Sequence, residues 1–141
     1  MYPHWRKPPE NEQEWLEAVM ALARYLRGPG GCPWDREQGA LEFARFAIGE
    51  VEEFIEALDN SGNEHAAEEA GDMLFCVFAA IAAAEEEGRF SLGDVLQGIH
   101  EKMVRRHGHV FGEHAAESPQ DAVRVWNSIK AEEKRKRGNG D

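Results

Sequence analysis

Four carboxylates stand out by type and spacing: Glu50 and Glu53 three residues apart, then Glu69 and Asp72 three residues apart. A helix turns about 100° per residue, so each pair would share one side of its helix. On a helical wheel Ala44, Ala47, Ile48, Val51, Phe54, Ile55 and Leu58 make an apolar arc with Glu50 and Glu53 on its shoulder, whereas Glu52 and Glu56 point towards solvent. Ala66, Ala70, Met73, Leu74, Val77, Phe78 and Ile81 make a second arc, shouldered by Glu69 and Asp72. Packed as an antiparallel pair, the arcs bring four carboxylates to the edge of one seam. Such a group repels itself and takes up protons unless a cation neutralises it. Oxygen-only donors suit Mg²⁺ or Mn²⁺. The competing reading is a pair of amphipathic helices with ordinary acidic outer faces.

Further along, Lys102 and Arg106 are four apart and share a helix face. They either complement the helix C-terminus or, in so acidic a chain, hold an anion such as a polyphosphate. Trp126 and Lys130 repeat the spacing, as core and surface residues or as a base-stacking ring beside a phosphate contact. His107 and His109 serve as caps and packing in preference to metal ligands, and Trp34 is expected to plug the end of the bundle. No GxSxG turn, P-loop or GxGxxG is present. A di-iron site would need Glu-x-x-His, whereas Glu50 and Glu69 are followed by Glu53 and Asp72.

The elements that must position these residues are all helical. No stretch alternates as a strand does. The pattern predicts about five helices in a bundle: 11–27, a second capped by Asp35 and Gln38 and ending near Asp59, 64–87, a fourth from Ser91 to about Arg106, and 119–134. The proline-containing start and the KRKRGNGD end read as loosely ordered, and Asn60 to Asn63 as a turn. At 141 residues the chain fits a single domain. Its net charge of −11 argues against a nucleic-acid partner, and no run is apolar enough for a membrane. With no signal-like start and only Cys32 and Cys76, a cytoplasmic protein without a disulfide scaffold or zinc site is expected.

Taken together, GGCPWDREQ (Gly30–Gln38), EVEEFIEAL (Glu50–Leu58), EEAGDMLF (Glu68–Phe75), EEEGRFSLGDV (Glu85–Val95), KMVRRHGHVFG (Lys102–Gly112) and WNSIKAEEK (Trp126–Lys134) resemble the MazG nucleoside triphosphate pyrophosphohydrolases of the all-α NTP pyrophosphatase superfamily. The resemblance implies one MazG-like domain over residues 1–141, intertwined in a homodimer or homotetramer. Glu50, Glu53, Glu69 and Asp72 would bind Mg²⁺, with Glu50 and Glu53 as catalytic carboxylates. Lys102 and Arg106 would hold the triphosphate, and Trp126 and Lys130 would face the nucleotide. The implied reaction cuts between the α- and β-phosphates, in a house-cleaning role against non-standard nucleotides. Three positions depart from the family pattern: Gly49 stands where a Glu is usual, Gly39 where Thr is common, and Gly108 where Pro is common. Loss of the acid at 49 leaves two alternatives, a weakened nucleotide-binding or interaction module and an inert acidic bundle.

Overall fold

A computed structural model describes residues 1–60 and 62–138. Among them there are seven helices and no strands: α1 (Glu12–Leu26), α2 (Pro33–Glu37), α3 (Ala40–Asn60), α4 (Asn63–Glu86), α5 (Leu92–Arg106), α6 (Gly108–Phe111) and α7 (Pro119–Lys136). Two compact units divide the chain, Met1–Leu92 and Gly93–Asp141. No helix among the described residues is long and apolar enough to cross a membrane.

In the first unit α3 and α1 both pack against α4. Ala79, Ala82, Ala83 and Ala84 of α4 are buried, and their small side chains let neighbouring backbones approach closely. Met20 and Ala23 of α1 and Phe43 and Ala57 of α3 fill the remaining space. The helix ends follow local chemistry. Asn11 caps α1 through its side chain, which accepts from the Glu14 amide at 2.9 Å. Gly88 ends α4 in the left-handed region at φ 71°, where glycine has no Cβ penalty, and the Arg89 amide donates back to the Ala84 carbonyl. Arg24 forks onto the Glu85 carboxylate at 2.9 and 3.0 Å, tying α1 to the end of α4.

Two expectations are corrected here. The second helix is two, because Gln38 is extended (ψ 137°) and Pro33, not Asp35, opens α2 with Cys32 at its N-cap. The capping box is not made: Gln38 donates its side-chain amide to the Trp34 carbonyl, and Glu42 accepts from the Gly39 amide instead. The N-terminal lead-in touches α1. Trp5 meets Trp15 of α1 edge-on, His4 lies against Tyr25, and Lys7 pairs with Glu14 at 2.7 Å. Of the expected turn and tail, Ser61 and residues 139–141 lie outside the described residues.

The apolar arc of α3 is also corrected. The face turned to α4 carries Phe43, Glu50 and Ala57, while Ile48, Val51, Ile55 and Leu58 are exposed. The acidic pair thus sits in the seam, and the apolar arc faces outwards.

In the second unit α6 packs on α7, whose N-cap Ser118 accepts from the Asp121 amide. The expected loop after Arg106 contains the single turn α6. At Gly108 a Cβ would stand 2.7 Å from the His114 ring and 3.0 Å from Ile129 Cδ1, so those two side chains would have to shift to admit one.

Candidate functional site

On α3, the residues Phe43, Phe46, Glu50, Glu53 and Ala57 fall within an arc of about 80°. The antiparallel register against α4 is marked by the Ala40 amide donating to Glu87 at one end and by Ala57 sharing a cleft with His65 and Glu69 at the other. Midway along that seam the stripe is acidic on both helices.

Carboxylate oxygens of Glu50, Glu69 and Asp72 lie within 4.8 Å of one another, a grouping that could hold a metal ion. Glu50 is half-buried, Glu69 is only 9 % exposed, and Asp72 is open to solvent. Glu53 stands beside Glu50 and Glu69, and its charge acts on both. The structure therefore brings together three of the four acids singled out in the sequence, Glu50, Glu69 and Asp72, with Glu53 beside them.

Their electrostatics are unfavourable. Burial, reinforced by the charges of Glu53 and Asp72, pushes the Glu50 carboxyl above the usual carboxylate range. Burial and Glu53 do the same to Glu69, against the opposing influence of His65. The Cys76 thiol is raised by burial and by Glu50 and Asp72. One oxygen of Glu50 and one of Glu69, both Oε2, are buried without a hydrogen-bond partner. Buried polar atoms are normally satisfied, so two orphans inside a like-charged cluster fit a hard divalent cation well.

His65 escaped the sequence reading, and Glu56 was read only as pointing towards solvent. His65 places Nε2 3.5 Å from Glu69 Oε1, and with Glu53, Glu56, Ala57 and Glu69 it lines a cleft of about 290 Å³. His65 precedes Glu69 by four residues, which is the helical signal that could have found it. Glu56 is exposed as expected, but turning the acidic stripe into the seam brings it to the cleft's edge. Gly49 is exposed, and a Cβ there would meet nothing within 4 Å, so packing does not require glycine.

In the second unit Arg106 is buried. Its Nε donates to Glu133 at 3.0 Å, and its guanidinium lies 5.0 Å from the Trp126 ring centroid. Arg105 reaches the same carboxylate at 2.6 Å, and the two arginines hold Glu133 below the usual range, Arg105 foremost. Lys102 is half-buried with no ion-pair partner among the described residues, and Lys130 is exposed. His107, His109, Ala122, Val123 and Trp126 line a cleft of about 340 Å³. His107 bonds the Met103 carbonyl through Nδ1 at 2.6 Å, the capping role expected of it, while His109 Nδ1 is buried and unpartnered. Glu133, which fixes Arg106, carried no recognisable sequence signal.

Residues 38–111 match the family model described as the MazG nucleotide pyrophosphohydrolase domain. The chain is 40 % identical over 131 residues to the uncharacterized protein YabN of Bacillus subtilis, covering 90 % of this chain and 27 % of that protein. It is 39 % identical over 122 residues to the nucleoside triphosphate pyrophosphohydrolase/pyrophosphatase MazG of Thermotoga maritima, covering 86 % and 46 %. To the nucleoside triphosphate pyrophosphohydrolase of Escherichia coli K12 it is 35 % identical over 120 residues, covering 84 % and 46 %. The chain thus spans less than half the length of these relatives. The crystal structure of a MazG-related protein from Thermotoga maritima superposes with a TM-score of 0.68 at 27 % identity, covering 85 % of this chain and 99 % of that one.

The raised carboxyls give a signed pH prediction. The folded protein retains protons on Glu50 and Glu69 that the unfolded chain releases above about 4.5, so without metal their contribution to stability falls as pH rises through the folded values. Glu69→Gln should therefore raise the melting temperature of metal-stripped protein at pH 8 and abolish any Mg²⁺-induced gain. A melting temperature that is lower than wild type at pH 8, with the Mg²⁺ gain intact, would contradict the assignment.

Proposed function

Because this chain belongs to the MazG nucleotide pyrophosphohydrolase family, we propose that it is a Mg²⁺-dependent nucleoside triphosphate pyrophosphohydrolase. It cleaves between the α- and β-phosphates to give a nucleoside or deoxynucleoside monophosphate and pyrophosphate. The observation that carries this reading is the pair of buried, unpartnered oxygens on Glu50 and Glu69 among like charges.

Glu50, Glu53, Glu69 and Asp72 would hold the cation, Mg²⁺ or Mn²⁺ in its place, which when bound draws charge from the phosphates and acidifies a water. Glu53, exposed beside Glu50 and Glu69, would orient the attacking water in line and accept its proton, with Glu50 holding the geometry from inside the seam. Lys102 would bind phosphate oxygens. Arg106 would do so from a fixed pose, since Glu133 and the Trp126 ring lock its guanidinium. Trp126 and Lys130 would face the nucleotide. Clearance of non-standard nucleotides is the physiological role that suits this chemistry.

A second reading, a nucleotide-binding module with weakened turnover, is favoured by Gly49, where the family acid is lost without any steric reason. Glu56 is the acid placed to compensate, because positions 49, 53 and 56 follow one line along α3 and Glu56 lines the cleft. Pyrophosphate release separates the readings. Incubated with common NTPs and dNTPs plus Mg²⁺, the protein should release pyrophosphate, and Glu53→Gln should slow release by about 100-fold or more while the protein stays folded. Nucleotide binding without pyrophosphate would favour the module, and neither binding nor release would overturn both.

The exposed stripe of α3 supports a homo-oligomer. Leu41, Ala44, Ile48, Val51, Ile55 and Leu58 alternate by three and four, the spacing of a helical seam, and are exposed together with Leu74 and Val77 of α4. A second copy covering this stripe gives a homodimer, and a pair of dimers a homotetramer. Light scattering should report a multiple of the 15.9 kDa chain mass that Ile55→Glu reduces to one. A wild-type monomer would contradict the seam.

A further inference from the structure

We propose that Trp34 is a stacking platform for the nucleobase of the bound nucleotide, which rests on the function proposed above. The sequence reading made Trp34 a plug, but the residue is 53 % exposed. One face stacks on Phe46, with centroids 5.7 Å apart and planes at 19°, and its edge meets Phe43 at 6.1 Å. The residue's exposed surface is open to another partner.

The ring is held in place by its surroundings. The Cys32 amide donates to the Leu26 carbonyl at 2.7 Å, and Arg27 Nη1 donates to the Asp35 carbonyl at 2.7 Å. Arg36 Nη1 reaches the Gly28 carbonyl at 2.7 Å, and the Gln38 side chain donates to the carbonyl of Trp34 itself at 3.2 Å. Four bonds therefore fix α2 and the turn before it, whose largest apolar side chain stays about half exposed. An immobilised, exposed indole is costly for a fold and useful for recognition, since a pre-positioned ring loses little entropy on binding.

Its location selects the occupant. Phe46, which supports the indole, precedes Glu50 by one helical turn, about 6 Å along α3. Phe43, Phe46, Glu50 and Glu53 share one stripe, aromatic at one end and acidic at the other. A single ribose separates a base from its α-phosphate, a span of the same order. A nucleotide with phosphates at the acidic end thus places its base over the aromatic end. Trp126 is less available for this, because Arg106 lies over its ring and His107 abuts it at 5.6 Å. Stacking on a π-face does not read base edges, so the contact serves purines and pyrimidines alike.

The test is binding of an α,β-methylene nucleoside triphosphate and, separately, of inorganic tripolyphosphate, both with Mg²⁺, to wild type, W34A, W34L and W34F. W34A and W34L should weaken the nucleotide by roughly 10-fold and leave tripolyphosphate unchanged, while W34F keeps most of the affinity. If W34A fails to fold, W34L against W34F still separates π-stacking from apolar bulk. Equal losses for both ligands, equal behaviour of W34L and W34F, or no loss at all would overturn the platform. Wild type that binds neither ligand would instead overturn the proposed function, and the platform with it.

Discussion

Packing α3 against α4 forces Glu50 and Glu69 out of water with no partner for two of their oxygens. The rest of the first unit is arranged so that this contact cannot be avoided. Alanines along α4 and Ala57 on α3 draw the helices close, and the seam continues past the acids into buried Phe43 and Ala40. Pulling the helices apart to hydrate the carboxylates would also expose those residues. Hydrophobic burial at both ends therefore holds like charges together in the middle.

The consequence runs outwards. Because the acidic stripe occupies the inner face of α3, the helix's most apolar stripe is turned away from α4. One helix cannot place both stripes in one seam, so a chain that uses its seam for charge must cover its apolar arc by other means. The same stripe, followed towards the start of α3, becomes aromatic and meets Trp34. Charge, aromatic support and uncovered apolar surface are thus three sectors of a single helix.

Much of this was legible from residue types and spacing. The all-helical class, the positions of α1, α4 and α7, and the convergence of Glu50, Glu69 and Asp72 all follow from periodicity and end signals. The pattern could not tell which side of α3 faces α4. The wheel ranks Ile48–Leu58 as the inner face on hydrophobicity, but only packing shows that Phe43 and Ala57 win that place and leave Ile55 outside. The break at Gln38 was hidden because Asp35 and Gln38 imitate a capping box, whereas the bonds that settle it come from Arg27 and Glu87. Glu133 was invisible for a similar reason, since its pairing with Arg105 and Arg106 joins residues 28 and 27 positions apart.

The central claim is that the seam's charge is matched to a divalent cation. Calorimetric titration with Mg²⁺ in buffers of different ionisation enthalpy counts the protons displaced on binding. With Glu50 and Glu69 both pushed above the usual carboxylate range, binding should release protons in mildly acidic solution, and the release should fade as pH rises through their raised values. Mg²⁺ that does not bind, or that binds without displacing a proton at any pH, would contradict the account.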